Sequence, residues 1–119
     1  MRILLVEDDD AVRNTLVDVL QSKEHSVDET ASAEEALGKL PGDYNLIISD
    51  VLLKEMDGIA LLDHVNTLKP RIPVVMITGF GGPEVEETCR KRGAAGFLNK
   101  PFSVYRLLSL VEQVGTVNH

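Results

Sequence analysis

An α/β fold, with strands and helices alternating around a parallel sheet, is predicted by three features of the sequence. Short unbroken apolar runs recur at 3–6, 46–48, 73–77 and 96–98, too short for helices and suited to strands covered on both faces. Segments with apolar residues at helical spacing lie between them. Those segments carry their own start and stop residues, so strand and helix alternate about five times. That pattern predicts a doubly wound parallel sheet with helices on both faces.

The first strand, ILLV, leads into a helix over 10–23 in which Val12, Leu16, Val19 and Leu20 share a face. A weaker, alternating strand candidate spans 26–30. Ser32-Ala33-Glu34-Glu35 is an S-x-x-E capping box, opening a second helix with Ala36, Leu37 and Leu40. After the third strand, Asp57-Gly58 has loop and helix-start chemistry, and Ile59, Leu62 and Val65 mark a third helix that ends before Pro70. Pro83 suits the first position of a fourth helix. Its acids Glu84, Glu86 and Glu87 and its bases Arg90, Lys91 and Arg92 match the helix dipole, with Gly93 as the stop. Glu86–Arg90 is an i,i+4 pair on a solvated face. Val104, Leu107, Leu108 and Val111 outline the last helix.

The 119 residues are expected to form one domain over 1–119, without linker or low-complexity stretch. No apolar run approaches the roughly 18–20 residues of a membrane span, and no signal-peptide pattern follows Met1. The lone Cys89 excludes an internal disulfide and suits a reducing cytoplasm, and its spacing from Val85 marks it as a packed apolar residue. A formal charge of −7 argues against nucleic-acid binding. His25, His64 and His119 show no metal spacing and are expected at the surface.

In such sheets ligands bind beyond the carboxyl ends of the strands. Glu7, Asp8, Asp9 and Asp10 follow the first strand, Asp50 the third, Thr78 and Gly79 the fourth, and Lys100-Pro101 the fifth. Asp9 and Asp10 read as helix-start acids, with Asp10 the expected N-cap. The remaining carboxylates would repel one another, and a hard divalent cation with oxygen ligands relieves that repulsion. A carboxylate beside such a cation can act as a nucleophile toward phosphorus, and a lysine ammonium is a compact counter-charge to phosphate. Asp50, at the end of so apolar a segment, is therefore a candidate phosphoacceptor.

Taken together, LLVEDD, LIISDVLL…MDG, VVMITG and FLNKPF resemble the motifs of the receiver domain of two-component response regulators. The resemblance spans essentially the whole chain and implies a flavodoxin-like sheet in the order 2-1-3-4-5. It implies Asp50 as the phosphorylated aspartate and, with Asp8, a direct ligand of Mg²⁺, for which Mn²⁺ can substitute. It gives Glu7 a role through water, the Leu52 carbonyl a place in the metal set, and Thr78, Gly79 and Lys100 the phosphoryl group. Thr78 and Phe97 become the switch pair, and a cis bond is expected between Lys100 and Pro101. The implied phosphodonor is a histidine kinase or a histidine phosphotransfer protein. The implied output is a changed surface on the fourth helix, fifth strand and fifth helix, read by an effector domain or partner and able to support a phosphorylation-dependent dimer. Ala11, Thr15 and Asp18 would face the kinase. The chain would catalyse only its own phosphorylation and dephosphorylation in this two-component phosphorelay.

Three departures stand out. Lys54 occupies a position where the family commonly has proline, and Gly79 one where it commonly has alanine. Leu52 and Phe80 are apolar at two variable positions, where they would hinder attacking water. Competing readings are a haloacid-dehalogenase-like phosphohydrolase, an unphosphorylated interaction module and a flavin-binding domain. The first lacks a late acidic pair, since only Glu112 follows Glu87 among the acids. The second need not keep Asp8, Asp50, Thr78 and Lys100, and the third lacks a phosphate loop.

Overall fold

In the computed structural model, which describes residues 1–53, 57–79 and 82–117, the apolar runs become strands because neighbours cover them on both faces. Strands β1 (Arg2–Val6), β2 (Ser26–Thr30), β3 (Leu46–Asp50), β4 (Val74–Thr78) and β5 (Gly96–Asn99) form one parallel sheet in the order β2-β1-β3-β4-β5. Helices α1 (Asp10–Gln21), α2 (Ala33–Lys39), α3 (Gly58–Val65), α4 (Pro83–Lys91) and α5 (Val104–Val117) follow the strands in turn. The predicted alternation and strand order hold. No helix among the described residues is long and apolar enough to cross a membrane.

Alternate strand residues point to two cores. Ile3, Leu5, Leu46, Ile48, Val75 and Ile77 pack under α1 and α5, against Leu16, Leu20, Leu107 and Val111. Leu4, Val6, Ile47, Val74 and Met76 pack under α2, α3 and α4, against Ala36, Leu61, Leu62, Val65 and Cys89. Burial of each large aliphatic side chain contributes about 1.5–3 kcal/mol against the unfolded chain, so the two central strands, buried at all five positions each, anchor the fold. By contrast β2 lies at an edge, with Thr30 alone fully buried.

Strands three, four and five run one or two residues past their apolar cores. Backbone pairing does not depend on side-chain polarity, so Asp50 pairs in register with Ile77 and Thr78 with Asn99. The first helix is capped by Asp9 rather than Asp10: the Asp9 side chain accepts from the Val12 N–H at 3.0 Å, while Asp10 is the first helical residue. Ser32 caps α2 through the Glu35 N–H, and Asp57 caps α3 through the Ile59 N–H at 2.8 Å. Helix α4 ends as the glycine predicts. Gly93 has φ +88, its N–H donates to the Arg90 carbonyl, and the Ala94 N–H donates to that of Cys89. His25 departs from the surface expectation: its half-buried ring meets the Met1 amino group at 3.0 Å, and burial lowers its pKa. His64 is exposed, and His119 lies outside the described residues.

Candidate functional site

Parallel strands in register end together, so the residues at their carboxyl ends meet at one edge of the sheet. Val6 pairs with Ser49 and Thr30, Asp50 with Ile77, and Thr78 with Asn99. Glu7 and Asp8 follow β1, Asp50 and Thr78 close β3 and β4, and Lys100 follows β5. Glu7 is 0 %, Thr78 1 % and Asp50 6 % exposed, a depth unusual for carboxylates without a partner.

The partner is Lys100. Its Nζ donates to Glu7 Oε1 at 2.6 Å and to Asp50 Oδ2 at 2.8 Å. Burial works against the lysine's charge, but the hydrogen bonds to Asp50 and Glu7 outweigh it and raise its pKa, so the ammonium stays charged. One cation serving two carboxylates leaves an excess of negative charge. Burial, reinforced by nearby Asp50, accordingly pushes the Glu7 carboxyl upward despite the lysine. Glu7, Asp8 and Asp50 each offer an oxygen within 4.8 Å of the others. An oxygen-only set carrying uncompensated charge fits a hard divalent cation such as Mg²⁺.

The loops shape the site further. Asp50 Oδ1 accepts the Leu52 N–H at 3.1 Å, and Leu52 itself is 52 % exposed beside the cluster. The Lys100 N–H donates to the Thr78 carbonyl at 2.7 Å, and the Lys100–Pro101 peptide is cis, as expected. Gly79 is exposed, and a methyl group there would meet the Lys100 side chain at an ordinary 3.9 Å, so the departure from alanine leaves space without being required for it. Phe97 is not among the groups that could share a cation. It is half-buried and lines a groove of about 810 Å³ with Arg90, Tyr105, Arg106 and Gln113, between α4 and α5. Lys54 and Phe80 lie outside the described residues. Cys89 is fully buried, and burial pushes its thiol pKa up.

Two contributors escape a reading of the sequence. A Cβ on Gly58 would run into the Asp50 carbonyl oxygen, so α3 can begin directly against β3 only with glycine there. The sole signal is a glycine just past a loop acid, which reads equally as helix-start chemistry. Arg13 reaches from α1 to the Glu7 carbonyl at 2.9 Å, and nothing in the helical spacing of Arg13 marks that contact.

The family described as the response regulator receiver domain matches residues 3–112. Among curated proteins, the chain is 40 % identical over 111 residues to the response regulator protein FleR of Pseudomonas aeruginosa, covering 92 % of this chain and 24 % of FleR. It is 34 % identical to the response regulator receiver protein CpdR of Brucella abortus, covering 95 % of each. The chain thus spans about a quarter of FleR and nearly all of CpdR. A crystal structure of a CheY-like receiver domain protein from Methanospirillum hungatei superposes with a TM-score of 0.92 at 29 % identity, covering 98 % of this chain and 94 % of that one.

Proposed function

This chain belongs to the response regulator receiver domain family, whose members are phosphorylation-dependent switches, and on that premise we propose that Asp50 is its phosphoacceptor. The observation that carries this reading is the shared lysine: Lys100 Nζ lies 2.8 Å from Asp50 at the end of β3 and 2.6 Å from Glu7 just past β1. An Asp50 carboxylate oxygen attacks the phosphorus of a phosphohistidine presented by a histidine kinase or phosphotransfer protein. The O–P bond forms, the P–N bond breaks, and the leaving imidazole nitrogen keeps the electron pair and takes up a proton. Phosphoryl transfer asks for positioning and charge neutralisation more than covalent chemistry, and the buried acids with their single lysine suit that task.

Asp8 and Asp50 would hold Mg²⁺ or Mn²⁺ directly, Glu7 through water, and the Leu52 carbonyl would complete the protein's share. The cation supplies positive charge where phosphoryl oxygens gather. Lys100 holds the Asp50 carboxylate before transfer and a phosphoryl oxygen after it. The Thr78 hydroxyl and the Gly79 N–H donate to the remaining oxygens. Thr78 moves toward the new group and Phe97 turns inward behind it, altering the α4–β5–α5 groove that an effector reads. Half-burial of Phe97 beside that groove supports the last step. Exposed, apolar Leu52 slows the attacking water and lengthens the phosphoryl lifetime. A cytoplasmic site of action is part of the same reading, supported by the free, buried Cys89.

The test is intact mass after incubation with phosphoramidate, with and without Mg²⁺, on wild type and Asp50→Asn. The expected result is one Mg²⁺-dependent phosphoryl adduct in wild type and none in the variant. An adduct persisting in Asp50→Asn would move the nucleophile, with Asp8 the first alternative.

A further inference from the structure

The acidic pair after β1 sits where the sheet stops dictating backbone direction. The Glu7 N–H still donates to the Thr30 carbonyl of β2 at 3.1 Å, but Asp8 lies one residue beyond, in the turn into α1. The Glu7 carbonyl is met by Arg13 Nη1 at 2.9 Å. The same guanidinium donates through Nη2 to Asp10 Oδ1 at 2.5 Å and through Nε to Glu29 Oε1 at 3.4 Å. One planar fork therefore joins the end of β1, the first turn of α1 and the edge strand β2, with only 14 % of its side chain exposed.

We propose that Arg13 is a positioning residue for the divalent-cation site, holding the Glu7–Asp8 peptide so that the Asp8 carboxylate is presented beside Asp50; this rests on the reading of that site given above. The Glu7 carbonyl and the Asp8 N–H belong to one planar unit. Fixing the carbonyl from α1, with the Glu7 N–H already fixed from β2, sets the direction in which the chain carries Asp8. The charge of Arg13 is matched by its two carboxylate partners, Asp10 and Glu29, so its contribution is geometry rather than field.

Position and charge predict opposite signs. Were Arg13 only another cation near the acids, its removal would tighten cation binding. As a positioning residue, its removal weakens it, and lysine, a point charge without the fork, does not restore it.

The experiment is calorimetric titration of the full chain with MgCl₂ and MnCl₂ alone, without phosphodonor, for wild type, Arg13→Ala and Arg13→Lys. Amide ¹H–¹⁵N spectra of the metal-free proteins accompany it. Both variants should bind each ion about tenfold more weakly, as loss of outer supporting contacts does elsewhere, and the Asp8 amide resonance should move in both. Binding equal to or tighter than wild type in Arg13→Ala, or full retention in Arg13→Lys with an unmoved Asp8 resonance, would overturn the proposal while leaving the site intact. A wild type that binds neither ion would overturn the reading of the site and this proposal with it. Should Arg13→Ala not fold, Arg13→Lys still decides.

Discussion

The two ends of the sheet use the same ingredients in opposite ways. At the amino end, Arg2 pairs with Asp28 at 3.2 Å and lies over the Tyr44 ring at 4.7 Å, and the Tyr44 hydroxyl donates to Asp28 at 2.6 Å. Charges are largely solvated there, with Asp43 also reaching Arg2 at 4.0 Å, and Asp28 has its pKa lowered, first by the tyrosine hydroxyl and then by Arg2. At the carboxyl end one lysine serves two buried acids, and the Glu7 carboxyl moves the other way. A carboxylate that stabilises a fold is given enough partners. The two buried acids that share Lys100 are left short of them.

The largest expected effect tests that contrast directly. Lys100→Met strands two buried carboxylates and should lower stability by about 2–3 kcal/mol in a denaturant titration without added divalent cation, somewhat less than the roughly 3–5 kcal/mol of a fully buried pair because the ammonium keeps some solvent contact. Arg2→Met at the exposed end should cost far less, and a comparable loss there would erase the distinction. Next comes Gly58→Ala, whose added methyl meets the Asp50 carbonyl and the Val51 backbone; about 1–3 kcal/mol should be lost, the range for overpacking. Gly79→Ala, on the same edge but with only ordinary contacts to the Lys100 side chain, should stay within about 0.5 kcal/mol of wild type.

Tyr44→Phe removes the hydroxyl from Asp28 and should cost about 1 kcal/mol near neutral pH. The signs at the two limbs differ. Asp28, with its folded pKa depressed, contributes stability above its unfolded value of about 4, lost as pH falls through the lower folded value. Tyr44, raised first by burial and then by Asp28, contributes below its unfolded value of about 10, lost as pH rises through the higher folded value. Thermal melts across pH should therefore show the variant converging on wild type at both extremes. A constant gap across that range would remove the pair from the account.

Much of this was legible in the sequence for a physical reason: each central strand is covered on both faces, so its apolar run is written without interruption. Pro83 and Gly93 likewise mark α4 because each suits a backbone position that other residues fill poorly. The converging residues Glu7, Asp8, Asp50, Thr78 and Lys100 follow from strand ends once the strands are placed. What the sequence conceals is decided by tertiary neighbours. Two adjacent acids, Asp9 and Asp10, can both cap a helix, and only the backbone angles choose between them. Gly58 looks like a loop residue until Asp50 is seen against it. Arg13 touches three elements that only the folded sheet brings together.

The edge strand β2 has a consequence for life in a crowded solution. An open edge offers a row of backbone donors and acceptors on which a second molecule can add a strand. This one carries Asp28 and Glu29 side by side, in a chain with a formal charge of −7. Two copies approaching edge to edge bring those acids together and repel. The opposite edge, β5, is only four residues long. The sheet is thereby guarded against aggregation by charge on one side and by brevity on the other.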